Sequence, residues 1–184
     1  MGSYRARDLV RVPGLLSLAR LPLGAAFPFV VDRPALALGV LAVAGLTDIA
    51  DGWYARRFGQ VTPTGAAIDP VTDKLFVAMV VGTLIVHGNL PVAAIPALAA
   101  REIGELPLVL WVALSRRARR ARAAHPTANV PGKVATALQF AAVTVAILHS
   151  PQTLFVLGLC GAAGMLSALS YWQRELELLR KVAP

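Results

Sequence analysis

Residues 34–86 read PALALGVLAVAGLTDIADGWYARRFGQVTPTGAAIDPVTDKLFVAMVVGTLIV. Two apolar tracts, 34–54 and 65–86, flank a short polar link, and each is close to the roughly 20 residues that a helix needs to cross a bilayer. Four aspartates lie in or beside them. Asp48 and Asp51 sit near the end of the first tract, and Asp69 and Asp73 near the start of the second. A charge at the centre of a membrane helix costs at least about 2.5–3.5 kcal/mol on insertion scales, so such residues usually face a polar cavity and serve function. Asp48 and Asp51 are three apart, Asp69 and Asp73 four apart, and both spacings place side chains on one face of a helix. Two adjacent antiparallel helices therefore aim four carboxylates at one point. The cations nearest in sequence, Arg56, Arg57 and Lys74, are too few to explain the group as ion pairing. Oxygen-only ligands suit hard cations such as magnesium or manganese.

The same reading extends outward. Of 184 residues, 57% are hydrophobic and 15% charged, against about 45–50% and 25% in an average soluble domain. Six apolar tracts are expected to be helical spans: Val12–Val31, Pro34–Tyr54, Gly65–Val86, Leu90–Leu114, Gly132–Leu148 and Pro151–Trp172. Breakers separate them at Asp32-Arg33-Pro34, His87-Gly88-Asn89 and Ser150-Pro151. The fold class is thus all-α, a polytopic membrane protein of one domain over residues 1–184. A short interfacial helix is expected near Tyr4–Leu9. Helices are the natural solution because they satisfy their own backbone hydrogen bonds in lipid.

The net charge of +8 does not indicate a nucleic-acid partner, because the basic residues fall in short blocks between apolar tracts. With the N-terminus in the cytoplasm, every block lies on that side: Arg5, Arg7 and Arg11; Arg56 and Arg57; Arg116–Arg122; and Arg174, Arg180 and Lys181. Only Arg33 falls opposite, as the positive-inside rule requires. The Arg116–Arg122 run reads as an anchor on anionic lipid. The N-terminal stretch does not read as a cleavable signal peptide, since Asp8 and Arg11 interrupt it.

Between the aspartate pairs, Gly52 would allow close approach of a ligand to the helix, and Arg56 offers a fork for phosphate. Metals plus an arginine at the cytoplasmic face suggest phosphoryl or phosphodiester chemistry. The pattern Asp48-x2-Asp51-Gly52-x2-Ala55-Arg56-x8-Gly65-x3-Asp69-x3-Asp73 matches the signature of the CDP-alcohol phosphotransferase family at every fixed position. The chain resembles that family, and the six-span layout extends the resemblance over nearly its whole length.

The resemblance implies a membrane enzyme of phospholipid synthesis. Such an enzyme transfers a phosphatidyl group from CDP-diacylglycerol to an alcohol and releases CMP. It implies two Mg2+ ions, with Mn2+ as the alternative: Asp48, Asp51 and Asp69 on one, Asp48, Asp69 and Asp73 on the other. Asp73 is also implied as the catalytic base. Gly52, Arg56, Thr62 and Gly65 look like contacts to the CDP moiety. Within the family, Asp69-Pro70-x2-Asp73-Lys74, Ala100-Arg101-Glu102-Ile103, Gly132-Lys133-x2-Thr136-x2-Gln139 and Val12-Pro13-x3-Ser17-x2-Arg20 resemble the phosphatidylglycerophosphate synthase and cardiolipin synthase branch. Arg101 and Lys133 then look like acceptor-phosphate contacts. Glycerol 3-phosphate is the expected acceptor. Phosphatidylglycerol is the alternative, because Val109 stands where such synthases often carry a second arginine and Arg11 where Asn is usual. The resemblance further implies a homodimer in the cell membrane, with both termini and the active site cytoplasmic.

A reading from another class, a small cation carrier, would spread polar groups across the bilayer, whereas here the acidic residues gather near one side. His87, His125 and His149 are scattered without metal-ligand spacing. Cys160 reads as a small apolar-site residue. Gly158, Gly161 and Gly164 indicate close helix packing.

Overall fold

The structure is a computed structural model that describes residues 12–58, 63–115 and 130–181. Every regular element among the described residues is helical. In chain order they are α1 (Val12–Leu18), α2 (Arg20–Ala26), a 3-10 turn (Phe27–Phe29), α3 (Pro34–Arg57), α4 (Pro63–Val86), α5 (Ala94–Leu98), α6 (Ala100–Leu114), α7 (Val130–Ile147) and α8 (Thr153–Lys181).

Two of the expected spans are not single helices. The first, Val12–Val31, divides into α1, α2 and the 3-10 turn. Its interruption at Ala19 follows from Pro22, which has no N–H to give the Leu18 carbonyl and whose ring crowds it. Backbone bonds from Ala19 N–H to Leu15 C=O (2.9 Å) and from Leu23 N–H to Ala19 C=O (3.4 Å) carry the chain across. The fourth, Leu90–Leu114, divides at Ala99 into α5 and α6. There Gln139 Nε2 donates to the Leu98 carbonyl at 3.2 Å, a partner for a carbonyl at a helix end. Among the described residues, three helices are long and apolar enough to cross a membrane, over Pro34–Ala55, Val130–Ile147 and Thr153–Glu177. α4 has the length but carries Asp69, Asp73 and Lys74 within its first half. The expected interfacial helix at Tyr4–Leu9 and the Arg116–Arg122 run lie outside the described residues.

The helices form two compact units, Met1–Leu90 and Pro91–Pro184. In the first, α1 packs on α3 and α4, and α2 packs on α4 and α3. Phe27, Ala37, Phe76, Val80 and Leu84 are buried there. A Cβ placed on Gly24 of α2 would meet the end of the flexible Met79 side chain and lie 3.3 Å from Phe76 Cδ2 of α4, so α2 and α4 pack closely here.

In the second unit α8 is the hub, contacted by α7, α6 and α5. Small residues set the spacing. A Cβ on Gly161 would lie 3.5 Å from Ala97 Cα, one on Gly164 would lie 2.9 Å from the Arg101 amide nitrogen, and one on Gly104 would lie 2.5 Å from Ala168 Cβ. The close packing expected of α8 is therefore made inside the chain by Gly161 and Gly164, whereas Gly158 meets nothing within 4 Å. Trp172 stacks on Trp111 with ring centroids 6.4 Å apart, and its Nε1 donates to the Gly104 carbonyl at 2.9 Å.

Outward-facing side chains such as Leu46, Ile49, Val86, Phe155 and Leu166 are exposed. An apolar surface of this kind suits lipid rather than water.

Two helix ends close with the same bond pattern. At the end of α4, Asn89 N–H bonds Leu84 C=O and Gly88 N–H bonds Ile85 C=O; at the end of α7, Ser150 N–H bonds Val145 C=O and His149 N–H bonds Ala146 C=O. Both need a left-handed residue, supplied by Gly88 (φ 76°) and by His149 (φ 52°). Gly88→Ala is expected to cost about 1 kcal/mol and His149→Gly to gain a few tenths or more. Opposite shifts in the detergent melting temperature would show this, and a rise with Gly88→Ala would contradict it.

Candidate active site

α3 and α4 present the acidic residues, as the spacing requires. Asp51 is 5% exposed, while Ile49 and Trp53 on the outward side of α3 are 68% and 58% exposed. On α4, Thr72 is buried between the aspartates, and its hydroxyl lies within hydrogen-bond reach of the carbonyls of Ile68 (3.2 Å) and Asp69 (3.0 Å), sharing its one hydrogen between them. It binds the turn beside Pro70, which removes one helix hydrogen bond.

The two aspartate pairs meet on a third element. Arg20 of α2 lies buried between them. Its Nη2 donates to Asp51 Oδ2 at 2.5 Å. Its Nη1 lies 2.8 Å from Asp48 Oδ1 and 3.8 Å from Asp73 Oδ1. The contact to Asp48 lacks hydrogen-bond geometry, and Nε has no hydrogen-bond partner among the described residues. Ser17 of α1 lies 2.9 Å from Asp51 Oδ2 and 2.5 Å from Asp69 Oδ1. A hydroxyl has one hydrogen, so it cannot donate to two ionised carboxylates at once. Ser17 and Arg20 are three residues apart and share a face, a placement that survives the interruption at Ala19.

The group has a closed side and an open one. Ser17, Arg20 and Asp51 are buried, whereas the side chains of Asp48 and Asp73 are 58% and 52% exposed. Three of the carboxylates face the guanidinium and the fourth, Asp69, is held by Ser17, so the four aspartates and Arg20 carry a formal excess of three negative charges. Their donor chemistry fits hard divalent cations: oxygen only, negative, and open on one side. Among the described residues, no three acidic, histidine or cysteine side chains already stand close enough to grip an ion, since the oxygens turn toward Arg20 and Ser17.

In the sequence Ser17 and Arg20 stand out only as parts of a branch pattern, and the counter-charges nearest the aspartates are Arg56, Arg57 and Lys74. The available signal was the arginine itself, a full charge in an apolar tract and therefore a marker of function.

Gly52 lies on α3 directly after Asp51, and Arg56 in its last turn. Gly65 opens α4. Thr62 lies outside the described residues. In the second unit, Arg101 Nη1 donates to Thr136 Oγ1 at 2.8 Å and to the Gly132 carbonyl at 3.4 Å. Its Nη2 donates to Glu102 Oε1 at 2.9 Å, and Glu105 lies 3.9 Å from its Nε. Arg101 is thus fixed across α6 and α7, and Thr136 and Gln139 have structural partners. Lys133, on the first turn of α7, is exposed.

The profile of the CDP-alcohol phosphatidyltransferase family matches residues 10–172. A Pseudomonas fluorescens protein named CDP-diacylglycerol–glycerol-3-phosphate 3-phosphatidyltransferase is 35% identical over 95% of this chain and 91% of its own length. A Streptomyces coelicolor cardiolipin synthase (CMP-forming) is 32% identical over 70% of this chain and 60% of its own length. A human protein of the same name is 31% identical over 55% of this chain, which spans 35% of the human sequence. With the signature aspartates gathered on α3 and α4, the chain belongs to the CDP-alcohol phosphatidyltransferase family, whose members are membrane enzymes that transfer phosphatidyl groups.

Proposed function

We propose that this enzyme makes phosphatidylglycerophosphate, transferring the phosphatidyl group of CDP-diacylglycerol to glycerol 3-phosphate and releasing CMP. The observation that carries this reading is the likeness to the Pseudomonas fluorescens protein over 95% of this chain and 91% of that one. The distribution of basic blocks supports six crossings with both ends and the aspartates at the cytoplasmic face. Assembly as a homodimer in the cell membrane is part of the same proposal.

In the proposed reaction the acceptor hydroxyl oxygen forms a bond to the lipid-side phosphorus. The bond from that phosphorus to the oxygen bridging it to CMP breaks, and the proton of the hydroxyl passes to the Asp73 carboxylate. Asp73 stands on the open side, where an acceptor can reach it. Asp48, Asp51, Asp69 and Asp73 would hold two Mg2+ or Mn2+ ions, which when bound would stabilise charge on the attacking and leaving oxygens. Gly52, Arg56, Thr62 and Gly65 would contact the CDP group, with Arg56 pairing its phosphates. Arg101 and Lys133 would bind the acceptor phosphate. The fixed Arg101 is suited to this, because its side chain is already ordered before the ligand arrives.

A second reading, cardiolipin synthesis with phosphatidylglycerol as acceptor, is favoured by the relatives of that name. Purified protein in detergent, given CDP-diacylglycerol, magnesium and one acceptor per reaction, separates the two. Rapid CMP release with glycerol 3-phosphate is expected. Release with phosphatidylglycerol alone would overturn the first reading in favour of the second.

A further inference from the structure

We infer that Arg20 is the built-in counter-cation of the aspartate cluster, and that its guanidinium competes with an incoming divalent cation for the same carboxylates. The inference rests on the proposed metal reading and deepens it. Arg20 is 1% exposed, touches Asp48 and Asp51, and lies 3.8 Å from Asp73. Ser17, 0% exposed, reaches Asp51 and the remaining aspartate, Asp69. These two residues of α1 and α2 therefore contact all four carboxylates. Without a cation, four aspartates brought together between apolar helices would repel one another in a medium that screens poorly. Arg20 lets α3 and α4 assemble before any metal arrives.

The contacts of Arg20 are unequal. The bond to buried Asp51 is short and aligned. The contact to half-exposed Asp48 is misaligned, and that to Asp73 is long. Arg20 Nε is buried with no hydrogen-bond partner among the described residues. This guanidinium supplies charge without saturating its donors, and its grip is weakest on the side open to an arriving ion. A divalent cation entering there would take Asp48 and Asp73 from Arg20 first, while Asp51 keeps its hold. Repulsion between the guanidinium and that ion would hold metal affinity below what four free aspartates would show. Arg20 is a positioning residue, acting on the reaction through the carboxylates.

The test uses the full chain in detergent, with Mn2+ binding followed by electron paramagnetic resonance and melting temperature measured in EDTA and in Mg2+. Arg20→Gln is expected to bind Mn2+ about tenfold or more tighter than wild type, since a positive charge in contact with the same carboxylates has been removed. It should melt lower than wild type in EDTA and recover most of the loss in Mg2+, while wild type changes little between the two. Arg20→Lys keeps the charge but loses the two-armed grip, so its affinity should fall between them. Unchanged or weaker Mn2+ affinity in Arg20→Gln, with an equal loss of melting temperature in EDTA and in Mg2+, would overturn the inference and leave Arg20 a purely structural pair. Should Arg20→Gln fail to fold in either buffer, Arg20→Lys decides, and affinity no tighter than wild type overturns the inference. Absence of Mn2+ binding in wild type and both variants would instead remove the metal reading and this inference with it.

Discussion

Asp73→Asn is expected to lower CMP release by at least about a hundredfold, the usual contribution of a positioned general base being 10²–10⁴, while CDP-lipid binding and expression stay close to wild type. Asparagine has nearly the same shape, so the helix and the buried partners of the cluster are undisturbed. What disappears is a negative charge and a proton acceptor on the open side, where Asp73 is half-exposed and 3.8 Å from Arg20. Asp51, buried on the closed side, is poorly placed for that duty. Turnover near the wild-type rate would rule out Asp73 as the base. Recovery of the rate at high Mn2+ would show that its contribution is cation binding alone.

Gly164→Val is expected to destabilise the protein by about 2–3 kcal/mol or more, the cost of overpacking a close contact. Even a Cβ there would lie 2.9 Å from the Arg101 amide nitrogen and 3.0 Å from Ala100 Cβ. Backbone cannot swing aside as the end of a flexible side chain can. The displaced segment carries Arg101, so its bonds to Thr136 and Gly132 should loosen, and, on the proposed acceptor role of Arg101, the KM for a phosphate-bearing acceptor should rise along with the loss of stability. Gly158→Ala is the control, because nothing stands within 4 Å of that position. Both changes lie on α8, and glycine is the poorer helix former in each case. A melting temperature well below wild type for Gly164→Val and near it for Gly158→Ala would confirm the α6–α8 contact. Equal effects would refute it.

Much of the site was legible because it depends on chemistry and helical spacing. Asp48 and Asp51, and Asp69 and Asp73, share helix faces whatever surrounds them, and charges in apolar tracts announce a polar site. The signature through Gly52, Ala55, Arg56 and Gly65 marks the family without reference to the fold. Ser17 and Arg20 were harder to place, since they lie 28 and more residues away from the carboxylates they contact. Nearest-in-sequence pairing with Arg56, Arg57 or Lys74 misses a partner that arrives on another helix.

The amino-acid sequence by itself determined the helical class, the apolar tracts, the four carboxylates and the family, because these follow from hydropathy, period and fixed spacing along one chain. Tertiary structure alone decided where the first and fourth tracts break, which cation meets the aspartates, and which glycines of α8 lie against a neighbouring backbone. It also decided that Gln139 serves the Leu98 carbonyl and Thr136 the Arg101 guanidinium. The physical reason is the same in each case. Periodicity specifies the face on which a side chain stands, but a buried charge, an open carbonyl or a missing Cβ is matched by atoms from a different helix, and only packing determines which helix that is.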